Sequence, residues 1–256
     1  MKTPKKEWNM TQTYEDDVFS VFGDKDAINP IFKYLNNKSS SLIVADLGCG
    51  HGNFLPFLAE RFRRVYAVDF ASPLLKQAQE RNTSFNNIEY KQLDLKKLKE
   101  LYNTSDIIVS VNSLFPEKIK DIDVILGEFR KCLKNEGEIV AILPSAESLM
   151  HSFLLSHQKL LDKGMSEEKA RTETFDEFNI QKCDALGLHA YNKGEVPQKH
   201  YFETELKSRF ARNGFEVTTI EKVEYSWNYC KNNNAGYHPK EPRLWDWFIV
   251  AKKVNK

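Results

Sequence analysis

The sequence is poor in cysteine and has no long apolar run. Its 256 residues include four cysteines, with no C-x-x-C pair and no histidine at zinc-ligand spacing. We therefore expect neither a disulfide framework nor a metal site. No stretch reaches the roughly 18 apolar residues that a membrane-spanning helix needs, and the first residues, MKTPKKEWNM, lack the apolar segment of a signal peptide. These absences favour a cytoplasmic protein without membrane contact.

The sequence also lacks an excess of either charge. It has 37 basic and 36 acidic residues, which gives a formal net charge of +1. The chain as a whole therefore exerts no strong attraction on nucleic acid, and we do not expect a nucleic-acid partner. With 41% apolar and 29% charged residues, the composition is typical of a soluble globular protein, and the length suits one α/β domain over residues 1–256.

Glycine is scarce too, with 11 residues, but three of them stand at alternate positions in one stretch. These are Gly48, Gly50 and Gly52, and they follow the apolar run LIVA at 42–45, which ends at Asp46. Such a run is typical of a strand that is buried on both faces of a sheet. Immediately after the glycines, an apolar pattern of helical period begins. Strand, glycine loop and helix in this order predict a nucleotide-type site beyond the end of the strand.

The spacing of the glycines argues against a dinucleotide site. That fingerprint needs a glycine at the sixth place counted from Gly48, where this sequence has Asn53. Instead, an acid stands two residues before the first glycine, which gives D-x-G-x-G-x-G. Asp46 and the glycine carbonyls can face a positive charge, whereas a bare helix N-terminus favours anions. A ligand with an ammonium group and no phosphate is therefore favoured, although a tight strand-to-helix turn would need the same glycines.

These residues resemble motif I of the class I S-adenosylmethionine-dependent methyltransferases. The resemblance covers about residues 42 to 253. It implies an α/β, Rossmann-like fold with helices on both faces of a seven-stranded sheet, and S-adenosylmethionine as the cofactor. The motif I residues that it assigns to the cofactor are Asp46, Gly48, Cys49, Gly50 and Gly52.

Two later strands end near acids that resemble the adenosine contacts of the family. A second strand, RVYAVD, ends in Asp69, and a carboxylate there can accept both ribose hydroxyls. Ser72 is predicted to cap the following helix, which leaves Asp69 for the ligand, and Phe70 can pack on the adenine ring. After the third strand, the resemblance assigns Asp94, with Leu95 beside it, to the adenine amine. A helix cap or an exposed loop charge is the simpler role for these acids.

The segment after the fourth predicted strand distinguishes acceptor classes. It begins at Asn112 with the sequence NSLF, in the place of motif IV of the family. Family members that methylate exocyclic base amines carry [DN]-P-P-[FYW] there, because the prolines hold carbonyl groups toward the target nitrogen. NSLF has neither proline, which argues against base amino methylation but not against other nucleic-acid targets. We expect Asn112 to contribute to the cofactor site.

The end of the chain predicts an antiparallel pair of strands. A helix closes at residues 213–214, a sixth strand follows at 215–223, and a loop at 229–242 leads to a last strand at 245–252. Because no crossover helix separates the two strands, they are predicted to pair antiparallel. The resemblance implies the strand order 3-2-1-4-5-7-6 with the last strand antiparallel.

We divide the predicted domain into four segments. Residues 1–40 are interpreted as an N-terminal helical lid, 41–144 as the cofactor-binding half, 145–202 as a cap insertion over the substrate pocket, and 203–256 as the C-terminal helix and strand pair. Packing on the sheet is the simpler role for the first segment. The aromatic side chains that are expected to contact substrate are Tyr14, Phe19, Tyr191 and Tyr201.

The resemblance implies methyl transfer from S-adenosylmethionine to an O or N nucleophile of a small molecule by in-line displacement. If the acceptor is a hydroxyl, a histidine that titrates near pH 7 is the natural proton acceptor, and His200 or His189 is expected to serve. A surface or packing role stays open for both. An RNA or protein methyltransferase and an inactive cofactor-binding domain also stay open, because the reaction requires no particular catalytic side chain.

Overall fold

The computed structural model describes residues 22–114, 116, 118–177, 183–189, 198–232 and 238–254. Seven of its strands form one sheet in the order β3-β2-β1-β4-β5-β9-β8, and two short strands, β6 and β7, form a separate ribbon. The strands are β1 (Ile43–Leu47), β2 (Arg64–Asp69), β3 (Ile88–Gln92), β4 (Ser105–Val111), β5 (Leu133–Pro144), β6 (Leu188–His189), β7 (Gln198–Lys199), β8 (Phe215–Glu224) and β9 (Trp245–Lys253).

The pairing directions agree with the predicted topology. Strands β1 to β5 pair in parallel, whereas β9 is antiparallel to both β5 and β8. The strands predicted as the sixth and seventh of the sheet are numbered β8 and β9 here, because the two ribbon strands, β6 and β7, precede them in the chain. The predicted fold class and strand order are therefore confirmed.

Helices connect the strands and none of the described ones has the length and apolarity to cross a bilayer. Helix α4 shows why these segments are helical, because its buried residues Ile122, Ile125, Leu126 and Phe129 recur at helical spacing along one face. The helices are α1 (Pro30–Asn36), α2 (Leu55–Arg61), α3 (Ser72–Arg81), α4 (Ile119–Cys132), α5 (Ala146–Asp162), α6 (Glu167–Glu177), α7 (Glu203–Arg212) and α8 (Trp227–Asn232).

The hydrophobic core lies in two layers, one on each face of the sheet. In β1, Val44 belongs to the first layer, with side chains of α1, α2 and α8, whereas Ala45 and Leu47 belong to the second layer, with α4 and α7. This alternation follows from the two-residue period of a strand. Helix α1 contributes the fully buried Ile31 and Leu35 to the first layer. The helical part of segment 1–40 that the structure describes therefore packs on the sheet.

One edge of the sheet collects the ends of several strands. Because β1, β2, β4, β5 and β8 run in the same direction, their last residues lie at this edge, and the antiparallel β9 begins there. We call it the C-terminal edge. Loops that leave it include those after Leu47, Asp69, Val111, Pro144 and Glu224.

Two local predictions are wrong. Ala71 is the N-cap of α3 and Ser72 is already its first helical residue, and no side chain caps the helix. The Asp69 carboxylate accepts the N–H of Ala71 at 2.8 Å, which fixes the turn before the helix. In addition, the loop predicted at 229–242 starts later, since residues Trp227–Asn232 form α8.

Candidate functional site

The glycine loop between β1 and α2 depends on left-handed backbone conformations. Gly48, Gly50 and Gly52 have φ values of +88°, +54° and +83°, which side chains other than glycine rarely adopt. The N–H groups of Gly48 and Cys49 both donate to the carbonyl of Val68 in β2, at 2.8 and 2.9 Å. The loop is therefore fixed to the neighbouring strand at the C-terminal edge.

The segment after β4 lies directly against this loop. A Cβ atom placed on Gly48 would come within 2.3 Å of the Ser113 Cβ, which is closer than real Cβ atoms approach. Ser113 is held there, because its hydroxyl donates to the Leu47 carbonyl at 2.7 Å. Because Gly48 has no side chain, the loop after β4 can pack directly against the loop after β1.

Two buried carboxyl groups lie on one face of the sheet beside the glycine loop. Asp46 is 3% exposed, and burial, followed by the charge of Asp69, raises its pKa to about 7. Burial also raises the pKa of Asp69, although its backbone hydrogen bonds oppose that effect. Both carboxyls stand two residues beyond first-layer residues, Val44 and Ala67, so they point to the same side. A cation between the two carboxyls would stabilise their ionised forms and so lower their pKa values.

Asp69 also holds the loop. Its Oδ2 accepts the N–H of Gly50 at 2.9 Å and its Oδ1 accepts that of Ala71 at 2.8 Å. The expectation that Asp69 is left free for the ligand is therefore wrong, since each oxygen already has a backbone partner. Each still has a further lone pair, so contact with a ribose stays a prediction. Phe70 follows at the strand end and is partly exposed.

The third predicted acid lies in the loop after β3. The Oδ1 of Asp94 accepts the N–H of Lys96 at 3.0 Å in a local turn, and Leu95 packs against the second core layer. The N–H of Leu93, just before this turn, donates to the Asp69 carbonyl at 3.1 Å. The structure therefore places Asp46, Asp69 and Asp94 after three adjacent strands at one edge. Their contact with an adenosyl ligand stays a prediction.

Beyond β4, Asn112 belongs to a polar cluster that the sequence did not indicate. Asn112 has a φ of +45°, and its amide Nδ2 donates to Asp246 Oδ2 over 3.4 Å. The same Asp246 oxygen accepts the Tyr225 hydroxyl at 2.6 Å. Burial raises the pKa of Asp246. The available signal was a single carboxylate in the otherwise apolar start of the last strand, WDWFIVAK.

Tyr201 is fully buried in the second core layer, which contradicts its predicted contact with substrate. Its hydroxyl donates to the carbonyl of Leu114 at 2.6 Å, and its N–H donates to that of Pro144 at 2.7 Å. Burial raises the pKa of the phenol. Tyr201 therefore holds the segment after β4 in place through its hydrogen bond to Leu114.

The two predicted catalytic histidines are buried together. His189 is fully buried and His200 is 4% exposed, and their ring centroids lie 6.1 Å apart. Burial, followed by the neighbouring His189, lowers the pKa of His200 to about 4. The expectation that His200 titrates near pH 7 is therefore wrong, and at that pH its neutral ring is a weak base.

Three predicted substrate contacts, Tyr14, Phe19 and Tyr191, lie outside the described residues. Within the described ranges, no three His, Cys, Asp or Glu side chains are grouped to hold a metal. A cavity of about 560 Å³ opens beside α8, next to the end of β8, and none of the predicted cofactor residues lines it. Its lining residues are Asp26, Ser226, Trp227, Asn228, Pro239, Glu241 and Arg243.

Comparisons with known proteins agree with this geometry. Residues 44–137, from β1 into β5, match the family model described as a methyltransferase domain. An uncharacterized protein of Methanocaldococcus jannaschii is 28% identical over 141 residues, which are 54% of this chain and 56% of that protein. The match thus spans about half the length of that curated relative.

Solved structures share the fold at low sequence identity. A SAM-dependent methyltransferase of Methanosarcina mazei has a TM-score of 0.64 at 18% identity, covering 90% of this chain and 99% of that one. The 1,6-didemethyltoxoflavin-N1-methyltransferase of Burkholderia thailandensis has a TM-score of 0.59 at 14% identity, covering 92% and 82%. Residues 44–137 therefore match a methyltransferase domain, and the chain as a whole shares the fold of S-adenosylmethionine-dependent methyltransferases.

Proposed function

We propose that this protein transfers a methyl group from S-adenosylmethionine to an O or N nucleophile of a small molecule. The observation that carries the proposal is the pair of buried carboxyls at the ends of β1 and β2. Asp46, with its pKa raised to about 7, stands beside Asp69 and the glycine loop. Such a site favours a ligand that brings a positive charge into it.

The residues at this edge fit the cofactor. The left-handed glycines leave backbone exposed to a ligand without intervening Cβ atoms. Asp46 is suited to the amino group of the cofactor, and the remaining lone pairs of Asp69 to its ribose hydroxyls. Phe70, Asp94 and Leu95 follow β2 and β3 and are suited to the adenine.

The cofactor supplies an electrophilic methyl group on a sulfonium. The chain must therefore position the nucleophile and exclude water, and correct positioning alone can supply effective molarities on the order of 10⁵ M. The rigid contact between Ser113 and the glycine loop brings the loops after β1 and β4 together for this purpose. Buried His200, with its pKa lowered to about 4, is poorly suited to remove a proton at neutral pH.

A small-molecule acceptor is supported by two observations. The net charge of +1 gives little attraction for RNA, and the Burkholderia neighbour is named as an N1-methyltransferase and holds 1,6-didemethyltoxoflavin with S-adenosylhomocysteine. The segment 145–202 follows β5 at the C-terminal edge, and we interpret it as the cap over the acceptor. Its helix α5 contributes Leu155 to the first core layer.

A thermal shift assay tests cofactor choice. We expect S-adenosylhomocysteine to stabilise the full chain by RT ln(1 + [L]/Kd), and NAD to leave the melting temperature unchanged, because the loop lacks the dinucleotide glycine at position 53. Equal shifts with both ligands, or none with either, would contradict the proposal. Turnover of S-adenosylmethionine labelled in its methyl group then separates an enzyme from an inactive binding domain.

A further inference from the structure

The carboxylate of Asp246 occupies a second position at the C-terminal edge, three strands away from Asp46. The order β1-β4-β5-β9 and a strand spacing near 4.8 Å place strands β1 and β9 about 14 Å apart across the sheet. The register aligns Asp46 with Val250 of β9, so Asp246 lies four residues further toward the C-terminal edge. Asp246 lies two residues before the first-layer residue Phe248, so its side chain points to the same face as Asp46. A cofactor that lies over β1 and β2 would therefore not cover Asp246, and a second ligand that lies over β4 and β5 could contact it.

A continuous series of contacts connects Asp246 to the glycine loop. Ser113 fills the space above Gly48, and its chain neighbour Asn112 donates to Asp246 Oδ2. Tyr225, at the end of β8, fixes the same oxygen from the other side with a bond of 2.6 Å. The carboxylate is therefore positioned relative to the glycine loop by side chains from two segments, the one after β4 and the one after β8.

The cluster retains one buried hydrogen-bond acceptor that the described residues do not use. The Oδ1 of Asn112 is buried and accepts no hydrogen bond from any residue that the structure describes. Asp246 itself is only partly buried as a residue and lies at the C-terminal edge of the sheet. A buried acceptor without a donor is costly, which indicates that a ligand supplies one.

On the basis of the proposed function, we propose that Asp246 and Asn112 form the acceptor subsite, and that the acceptor is a nitrogen nucleophile with two N–H bonds. The neutral nitrogen donates N–H to the two side-chain oxygens and directs its lone pair at the methyl carbon. As the carbon–nitrogen bond forms, the carbon–sulfur electron pair stays on sulfur and the nitrogen becomes cationic. The Asp246 carboxylate stabilises that charge and then accepts one N–H proton, which it passes to water.

Two matched ligands test this subsite. Both are analogues of S-adenosylhomocysteine with nitrogen in place of sulfur, one with a 2-aminoethyl arm on that nitrogen and the other with a propyl arm of the same length. The terminal ammonium imitates the cationic nitrogen. We expect the wild-type chain to bind the aminoethyl analogue at least tenfold more tightly than the propyl analogue, as measured by calorimetric titration.

Variants show whether Asp246 is the source of that preference. In Asp246→Asn the preference should fall to within twofold of unity, while the affinity for S-adenosylhomocysteine stays within threefold of wild type. Tyr225 acts through Asp246 as a positioning residue, so Tyr225→Phe should reduce the preference in part. The matched control is Glu138→Gln, because Glu138 is a buried strand carboxylate that also accepts a tyrosine hydroxyl, at 2.9 Å from Tyr34, but at the opposite edge. It should keep the full preference.

The outcomes separate the two proposals. A wild-type chain that binds S-adenosylhomocysteine but shows no preference between the arms would overturn the acceptor subsite alone. An unchanged preference in Asp246→Asn would also overturn it, and would assign Asp246 a purely structural role. Failure to bind S-adenosylhomocysteine would instead overturn the proposed function. If Asp246→Asn does not fold, Asn112→Gly, which tolerates the left-handed backbone, should lower the preference at least threefold.

Discussion

Without a ligand, the surroundings of Asp46 disfavour its ionised form. Its pKa is raised from 3.8 to about 7 by burial and by Asp69, so the folded state retains a proton that the unfolded chain loses near pH 4. The free energy of unfolding should therefore fall as pH rises from about 4 to 7, by up to about 4 kcal/mol at 1.36 kcal/mol for each pKa unit. Asp46→Asn removes this titration, so we expect the variant to become progressively more stable than wild type over that range.

Urea unfolding of both proteins at pH 4.5, 6 and 8 measures this difference. Asp46 and Asp69 interact, so the difference in unfolding free energy between the two proteins reports the titration of Asp46 together with its coupling to Asp69. Parallel stability curves from pH 4.5 to 8 would show that the carboxyl is not perturbed. If the curves diverge as expected, the Asp46 carboxylate lowers the stability of the protein at a position that favours ligand binding.

Three glycines allow steric and backbone effects to be separated. Gly48→Ala combines a φ of +88° with a Cβ contact of 2.3 Å to Ser113, and we expect a loss of at least about 3 kcal/mol. Gly164→Ala has a φ of +81° but nothing within 4 Å, so it should cost about 1 to 2 kcal/mol. Gly127, inside α4 with open space around it, should gain up to about 1 kcal/mol when changed to alanine.

Chemical denaturation measures the free energy of unfolding of the three variants and so ranks them. An equal loss of stability in Gly48→Ala and Gly164→Ala would contradict the close packing of Ser113 on the glycine loop. The residue types of this loop were predictable from the sequence, because glycine spacing is a local property. The hydrogen bonds of Asp69 and the low pKa of His200 were not, because they depend on which distant groups the fold brings near them.

At the scale of elements, apolar runs and turn signals were sufficient to place the strands of the sheet. The antiparallel β8–β9 pair followed from the absence of a crossover helix. The capping of α3 was mispredicted, because Ser72 is already helical and no side chain caps the helix, while the Asp69 carboxylate fixes the preceding turn through the N–H of Ala71. Helix α8 has six residues and its apolar period is too short to distinguish it from a loop.

Lys199 joins the β6–β7 ribbon to α7, and its removal should loosen that ribbon. The side chain is 1% exposed, and its ammonium group donates to the Leu186 and His200 carbonyls and to Glu205. Lys199→Met leaves those acceptors without their donor, so we expect a loss of about 2 to 4 kcal/mol and faster amide exchange in residues 183–189 and 198–200. Hydrogen exchange with mass spectrometry measures the second effect.

The control is Lys207→Met, which removes an exposed i, i+4 ion pair with Glu203 on the same helix. This variant should change stability by no more than about 0.5 kcal/mol and leave the exchange of the ribbon unchanged. If Lys199→Met behaves like the control, the ribbon is held by its apolar contacts instead.

At the scale of the whole molecule, two core layers on one sheet position the described cofactor candidates, from the glycine loop to Asn112, at a single edge. This architecture was predictable, because buried parallel strands and amphipathic helices each have a clear period. The cluster of Asn112, Tyr225 and Asp246 was not predictable, because its members come from three separate places in the sequence and meet only through the strand order β4-β5-β9-β8.

The balance of charge leads to a prediction about the acceptor. Because the net charge is +1, nonspecific electrostatic attraction to RNA should be weak. With methyl-labelled S-adenosylmethionine and a fractionated cell extract, we expect label to appear in the low-molecular-mass fraction. Label that appears mainly in RNA or protein would contradict a small-molecule acceptor and favour one of the alternatives.

Calorimetric titration of S-adenosylhomocysteine into wild type, Asp46→Asn and Glu138→Gln tests whether the buried carboxyl at the end of β1 binds the cofactor. Glu138 is a buried carboxylate at the opposite edge of the sheet, so it matches Asp46 in burial but not in place. We expect saturable binding to wild type, affinity within twofold of wild type for Glu138→Gln, and a loss of affinity of at least tenfold for Asp46→Asn, which should fold well. Equal affinities in all three proteins, or no binding to wild type, would contradict this expectation.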